Sequence, residues 1–119
     1  MLKNYKELKV WQQSYALCLE VYRLTKEFPK EELYGLTSQA RRSAVSIPSN
    51  IAEGYGRRTK PDYIRSLYIA YGSVCELETQ ILLSGDLGYI QAKDKDMLEQ
   101  KVREVERMLK GLISALEKS

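Results

Sequence analysis

The run Leu98-Glu99-Gln100-Lys101-Val102-Arg103-Glu104-Val105-Glu106-Arg107-Met108-Leu109-Lys110-Gly111-Leu112 decides the fold. Continued to Leu116, its apolar positions Leu98, Val102, Val105, Leu109, Leu112 and Leu116 step by 4, 3, 4, 3 and 4. That is one face of a helix, and the seven-residue repeat belongs to helices packed at the shallow crossing angle of bundles. The segment opens near Ala92, where Asp94 and Asp96 suit a helix N-terminus better than a metal site.

Working toward the N-terminus, the same periodicity recurs three times. Ile64, Leu67, Tyr71, Val74, Leu77 and Ile81 carry a helix that ends at Ser84-Gly85 or Leu87-Gly88. Thr59-Lys60-Pro61-Asp62 reads as its start, with Thr59 as cap, proline in the first turn and Asp62 closing the box. Before it, Leu36, Ala40, Ala44, Ile47 and Ile51 share a face, with Gly54 and Gly56 as the stop signal. Pro48 interrupts this segment and predicts either a kinked helix or two short ones. The first segment carries two apolar stripes: Leu8, Trp11, Tyr15, Cys18 and Tyr22, and beside it Val10, Leu17, Val21, Leu24 and Phe28, ended by Pro29. An apolar arc that wide exceeds what one bundle core requires, and predicts a homo-oligomer. Strand-type alternation is missing, and the connections are short. The expectation is an all-α, antiparallel, up-down-up-down four-helix bundle, one domain over residues 1–119.

Composition narrows the chemistry. The 119 residues carry 19 basic and 16 acidic side chains, a formal net charge of +3, and no histidine. Triads built on histidine, His-ligated zinc and imidazole acid–base catalysis are excluded. Cys18 and Cys75 stand outside any C-x-x-C spacing and read as small buried residues of a reducing compartment. Glu76 and Glu78, two apart, point to different sides of a helix and form no carboxylate pair. Phosphate loops are absent, since Gly54-Tyr55-Gly56 follows a helix rather than a strand. Neither an enzyme, a cofactor nor a metal is expected. The opening Met1-Leu2-Lys3-Asn4-Tyr5-Lys6-Glu7 lacks the apolar run of a signal peptide, and no stretch reaches membrane-spanning length; the expected location is cytoplasmic.

Two patterns remain for function. Arg42, Ser46, Asn50, Glu53 and Arg57 step by 4, 4, 3 and 4, a polar stripe distinct from the isoleucine face. It is either a solvated face with a Glu53–Arg57 surface ion pair, or a stripe against a neighbouring helix or subunit whose groups satisfy one another. Charge is also uneven. Between Leu36 and Gly72, Arg41, Arg42, Arg57, Arg58, Lys60 and Arg65 face only Glu53 and Asp62. Arginine forks onto phosphate, and Tyr55, Tyr63 and Tyr68 interleave as rings that could stack on unpaired bases. This is the outline of an RNA or DNA footprint; the competing reading is a merely soluble basic end.

The string Ser46-Ile47-Pro48-Ser49-Asn50-Ile51-Ala52-Glu53-Gly54-Tyr55-Gly56-Arg57 resembles the signature of four-helix-bundle proteins encoded by intervening sequences in bacterial large-subunit ribosomal RNA genes. Leu8-Lys9-Val10-Trp11-Gln12, Tyr68-Ile69-Ala70-Tyr71-Gly72-Ser73, Glu76-Leu77-Glu78-Thr79-Gln80 and Gly88-Tyr89 extend the likeness across the chain. Some members have been labelled ribosomal proteins. The resemblance implies a ring of five subunits. It also implies kinship with the accessory variability determinant proteins of diversity-generating retroelements, basic pentameric barrels that bind nucleic acid and work with a reverse transcriptase. Carried onto this chain, the binding candidates are Arg41, Arg42, Arg57, Arg58, Lys60 and Arg65. The leading expectation is a non-catalytic nucleic-acid-binding assembly protein; the alternative is a protein-interaction scaffold.

Overall fold

Each apolar period folds as the helix it encodes. The computed structural model describes residues 3–119, so Met1 and Leu2 of the opening run lie outside the described residues. The helices are α1 (Lys9–Thr25), α2 (Leu36–Tyr55), α3 (Lys60–Asp86) and α4 (Ala92–Lys118), with single 3-10 turns at Tyr5–Glu7 and Lys30–Glu32. No strand occurs among the described residues. Contacts run α1 to α2, α2 to α3, α3 to α4 and α4 back to α1, with no diagonal pair. Short connections make sequential neighbours antiparallel, and the result is an up-down-up-down four-helix bundle. At 27 residues each, α3 and α4 span roughly 40 Å at 1.5 Å per residue, close to the 45 Å long axis.

The core is one cluster fed by all four helices: Leu17, Ile47, Ile51, Leu67, Val74, Leu77, Val102, Val105 and Leu109 are almost fully buried. Of the two stripes on α1, the Val10–Leu17–Val21–Leu24 stripe faces inward, while Tyr15 and Tyr22 of the other are exposed. In α4 the buried row steps from Leu109 to Ile113, leaving Leu112 and Leu116 half-buried. A straight helix drifts against a strict seven-residue repeat, so the inward position slides by one residue along the last turns.

Three local expectations need correction. α1 ends at Thr25, before Phe28, because Glu27 and Phe28 donate their N–H groups to Leu24 and Thr25 in tight turns ahead of Pro29. Cys75 is exposed, one position past the inward Val74; only Cys18 is half-buried, and burial pushes its thiol pKa up. Gly54 is a packing residue inside α2, where a Cβ would sit 2.8 Å from the Ser66 Cβ, so α2 and α3 approach closely there. The stop falls on Gly56, whose N–H reaches Ala52 and Glu53.

Where alternatives stood open, the structure decides between them. α2 runs unbroken through Pro48. The third helix ends at Leu87-Gly88: Gly88 takes φ +79°, Tyr89 N–H donates to Ser84 O at 2.9 Å, and Gly88 N–H donates to Gly85 O at 3.0 Å. That is a left-handed glycine stop with both of its characteristic hydrogen bonds. At the other end, Thr59 Oγ1 accepts from Asp62 N–H at 3.2 Å, as a capping residue should.

Candidate nucleic-acid interface

The turn from α2 into α3 brings four of the six cationic candidates to one end of the bundle. Arg57 and Arg58 follow the last turn of α2, Lys60 opens α3, and Arg65 stands on its second turn. Arg57 and Arg65 border a depression of about 290 Å³ with Glu53, Asp62 and Ser66. Arg57 is ion-paired to Glu53, one turn back on the same helix. Lys60 Nζ donates to the carbonyl and hydroxyl of Ser119, tying the start of α3 to the end of α4. Arg58 and Arg65 are exposed.

Arg41 and Arg42 do not join this group. They lie roughly 24 Å away along α2 at 1.5 Å per residue. Arg41 is half-buried against α1: its Nε donates to Thr25 Oγ1 at 2.9 Å and its guanidinium lies 4.8 Å from the centre of the Tyr22 ring. Arg42, one residue on, is exposed. Both border a second, larger and shallow groove of about 730 Å³ along the outer face of α2, bounded by Tyr22 of α1 and by Leu33 and Tyr34 of the α1–α2 connection.

The polar stripe of α2 splits between its two readings. Ser46 and Ser73 hydroxyls are 2.7 Å apart across the α2–α3 seam, and Asn50 Nδ2 donates to Ser46 O and Oγ at 2.8 and 3.0 Å. This half satisfies itself against the neighbouring helix. Glu53 and Arg57 form the exposed ion pair expected of a solvated face.

The aromatic candidates divide between packed and exposed rings. Tyr55 and Tyr63 pack edge-on with centroids 6.2 Å apart, and burial together with the nearby Tyr55 holds the Tyr63 phenol above its usual range. Tyr68 is exposed and donates to Glu117. The ring that sequence reasoning missed is Tyr34, 92% exposed at one end of the groove along α2. Its one sequence signal was position: Leu33-Tyr34 precedes Gly35 and belongs to no helical stripe.

Among the described residues, no group of three or more His, Cys, Asp or Glu is placed to hold a metal ion, and no helix is long and apolar enough to cross a membrane.

A family model described as 23S rRNA-intervening sequence protein matches residues 6–111. Among solved structures, the chain resembles a protein of unknown function from the S23 ribosomal protein family of Bacteroides thetaiotaomicron VPI-5482. The TM-score is 0.82 at 24% identity, covering 87% of this chain and 97% of that one. That likeness is one of fold. No curated protein matches.

Proposed function

Because the chain belongs to the 23S rRNA-intervening sequence protein family, we propose that it is a non-catalytic, homo-oligomeric protein that binds RNA or DNA phosphates through its arginines. The observation that carries this reading is the α2–α3 end, where Arg57, Arg58, Lys60 and Arg65 surround one turn. Glu53 and Asp62 offset part of that charge in a single subunit. Rotational symmetry multiplies the remainder into a ring of positive potential, which lets a chain of net charge +3 attract a polyanion. Arg57 stays a donor despite its pairing, because an exposed pair is weak enough to exchange its carboxylate for a phosphate.

Oligomerisation is supported by apolar surface that one bundle leaves uncovered. Ile69 and Leu83 lie two heptads apart on the outer side of α3, and Tyr15 and Leu19 stand one turn apart on α1, all exposed. The same surface favours the scaffold reading if no nucleic acid binds. The number five follows from the family resemblance.

The test is a salt titration of binding to short RNA and DNA strands, comparing the unaltered protein with Arg57→Glu/Arg58→Glu. Phosphate contacts release counterions, so affinity should fall steeply with salt, and the double variant should bind more weakly with a shallower slope. An unchanged slope and affinity, with the assembly intact, would remove these arginines from the contact.

A further inference from the structure

The shallow groove along α2 carries Arg41 and Arg42, two of the arginine candidates that lie apart from the α2–α3 end, and its chemistry is specific. It is bordered by two guanidinium groups, two phenol rings and several hydroxyls; no carboxylate among the described residues lines it. That sets it apart from the α2–α3 end, where Glu53 and Asp62 stand among the cations.

Its parts are held differently. Arg41 is fixed, with Nε on Thr25 Oγ1 at 2.9 Å and its plane over Tyr22, so the remaining donors of its fork have a set position. Arg42 is exposed beside it, and Tyr34 projects at the mouth with 92% of its surface in solvent. A phenol left that exposed contributes little to its own fold. Two arginines suit one phosphate, since their forks match its oxygens. A flat ring beside them suits the face of a base, and the exposed hydroxyl of Ser49 can meet a sugar or a second phosphate.

We propose that this groove seats an unpaired nucleotide of a nucleic-acid strand, with its phosphate on Arg41 and Arg42 and its base stacked on Tyr34. The proposal rests on the nucleic-acid reading and adds to it a second contact, specific for single strands. Duplex is a poor occupant because its base faces are already stacked, and Tyr34 can reach only a base that is free. An acidic peptide would satisfy the arginines but has no use for the ring.

The experiment is fluorescence anisotropy with end-labelled short RNA and DNA strands and with the corresponding duplexes, at low salt and then across a salt series, alongside light scattering. Tyr34→Ala should weaken single-strand binding about tenfold and leave duplex binding unchanged, and Tyr34→Trp should restore it. Arg42→Ala should weaken binding and reduce the salt slope by roughly one contact. Tighter binding of either strand supports the proposal, and the RNA–DNA comparison then assigns the sugar. If Tyr34→Ala binds single strands as well as the unaltered protein, or loses single strand and duplex alike, the groove is not the seat, while the reading of Arg57 and Arg58 still stands. A fall in oligomer mass on Tyr34→Ala would make the groove a contact between copies instead. Absence of any binding by the unaltered protein would overturn both readings together.

Discussion

Glu32 and Tyr89, 57 positions apart, share a hydrogen bond of 2.9 Å that ties the α1–α2 connection to the α3–α4 connection. The other oxygen of Glu32 accepts the Leu36 N–H at 3.0 Å, so one carboxylate caps α2 and anchors a loop across the same end of the bundle. The Phe28 and Tyr89 rings, 5.5 Å apart, close over this junction.

The Leu36 N–H, then the Tyr89 hydroxyl, hold the Glu32 carboxyl below its ordinary value of 4.5. A depressed folded-state pKa contributes stability that is present above that value and lost as pH falls through the lower, folded one. Thermal midpoints measured downward from about pH 5 should therefore drop, and Glu32→Gln should lessen that drop. The same bond raises the Tyr89 phenol above 10, so its contribution is present below pH 10 and lost as pH rises through the folded value. Tyr89→Phe should flatten the alkaline limb and lessen, without abolishing, the acid drop, because the larger Leu36 contact on Glu32 remains.

Leu109 is fully buried, whereas Leu112 is only half-buried. Leu109→Ala should cost roughly 2–5 kcal/mol and Leu112→Ala clearly less, read as the loss of urea midpoint at constant slope. Equal costs would mean that α4 turns its strict heptad row to the core.

Two glycines should answer alanine in opposite directions. At Gly54 a Cβ meets the Ser66 Cβ at 2.8 Å and the Tyr63 ring at 3.1 Å, so Gly54→Ala should destabilise by about 1–3 kcal/mol as α2 and α3 are forced apart. At Gly111, inside α4, nothing lies within 4 Å, so Gly111→Ala should stabilise by roughly 0.5–1 kcal/mol through helix propensity alone. Melting curves of the two variants against the parent protein read both signs at once.

The exposed apolar residues of α3 predict a mass well above the 13.7 kDa of one chain, with five copies as the expected assembly. Leu83→Glu should lower that mass while leaving the helical circular dichroism spectrum intact, since Leu83 is half exposed in a single bundle. A monomer at micromolar concentration in the unaltered protein would end the oligomeric reading.

Much of the candidate interface was legible because it is local. Arg57, Arg58, Lys60 and Arg65 are brought together by a short turn, and a turn is encoded by the residues around it. Arg41 and Arg42 were equally visible as cations about four helical turns earlier, and the unbroken α2 keeps them at that distance. Tyr55 and Tyr63 looked like stacking rings and pack on each other instead; Tyr34 belonged to no stripe and stands in solvent. Exposure depends on what packs alongside, and no spacing within one segment encodes that.

By itself, then, the sequence determined the helices: the 3.6-residue period of apolar side chains and the Thr59 cap are satisfied within a few residues of themselves, so local physics suffices. It also determined that the bundle is antiparallel, because short connections permit nothing else. Only the tertiary structure decided which of two equally periodic stripes on α1 turns inward, since both bury similar apolar surface and the choice belongs to the neighbours α2 and α4. It alone joined Ser46 to Ser73 and Glu32 to Tyr89. A hydrogen bond between helices needs an axial register good to a fraction of an ångström, and that register is set by how all four apolar faces pack at once.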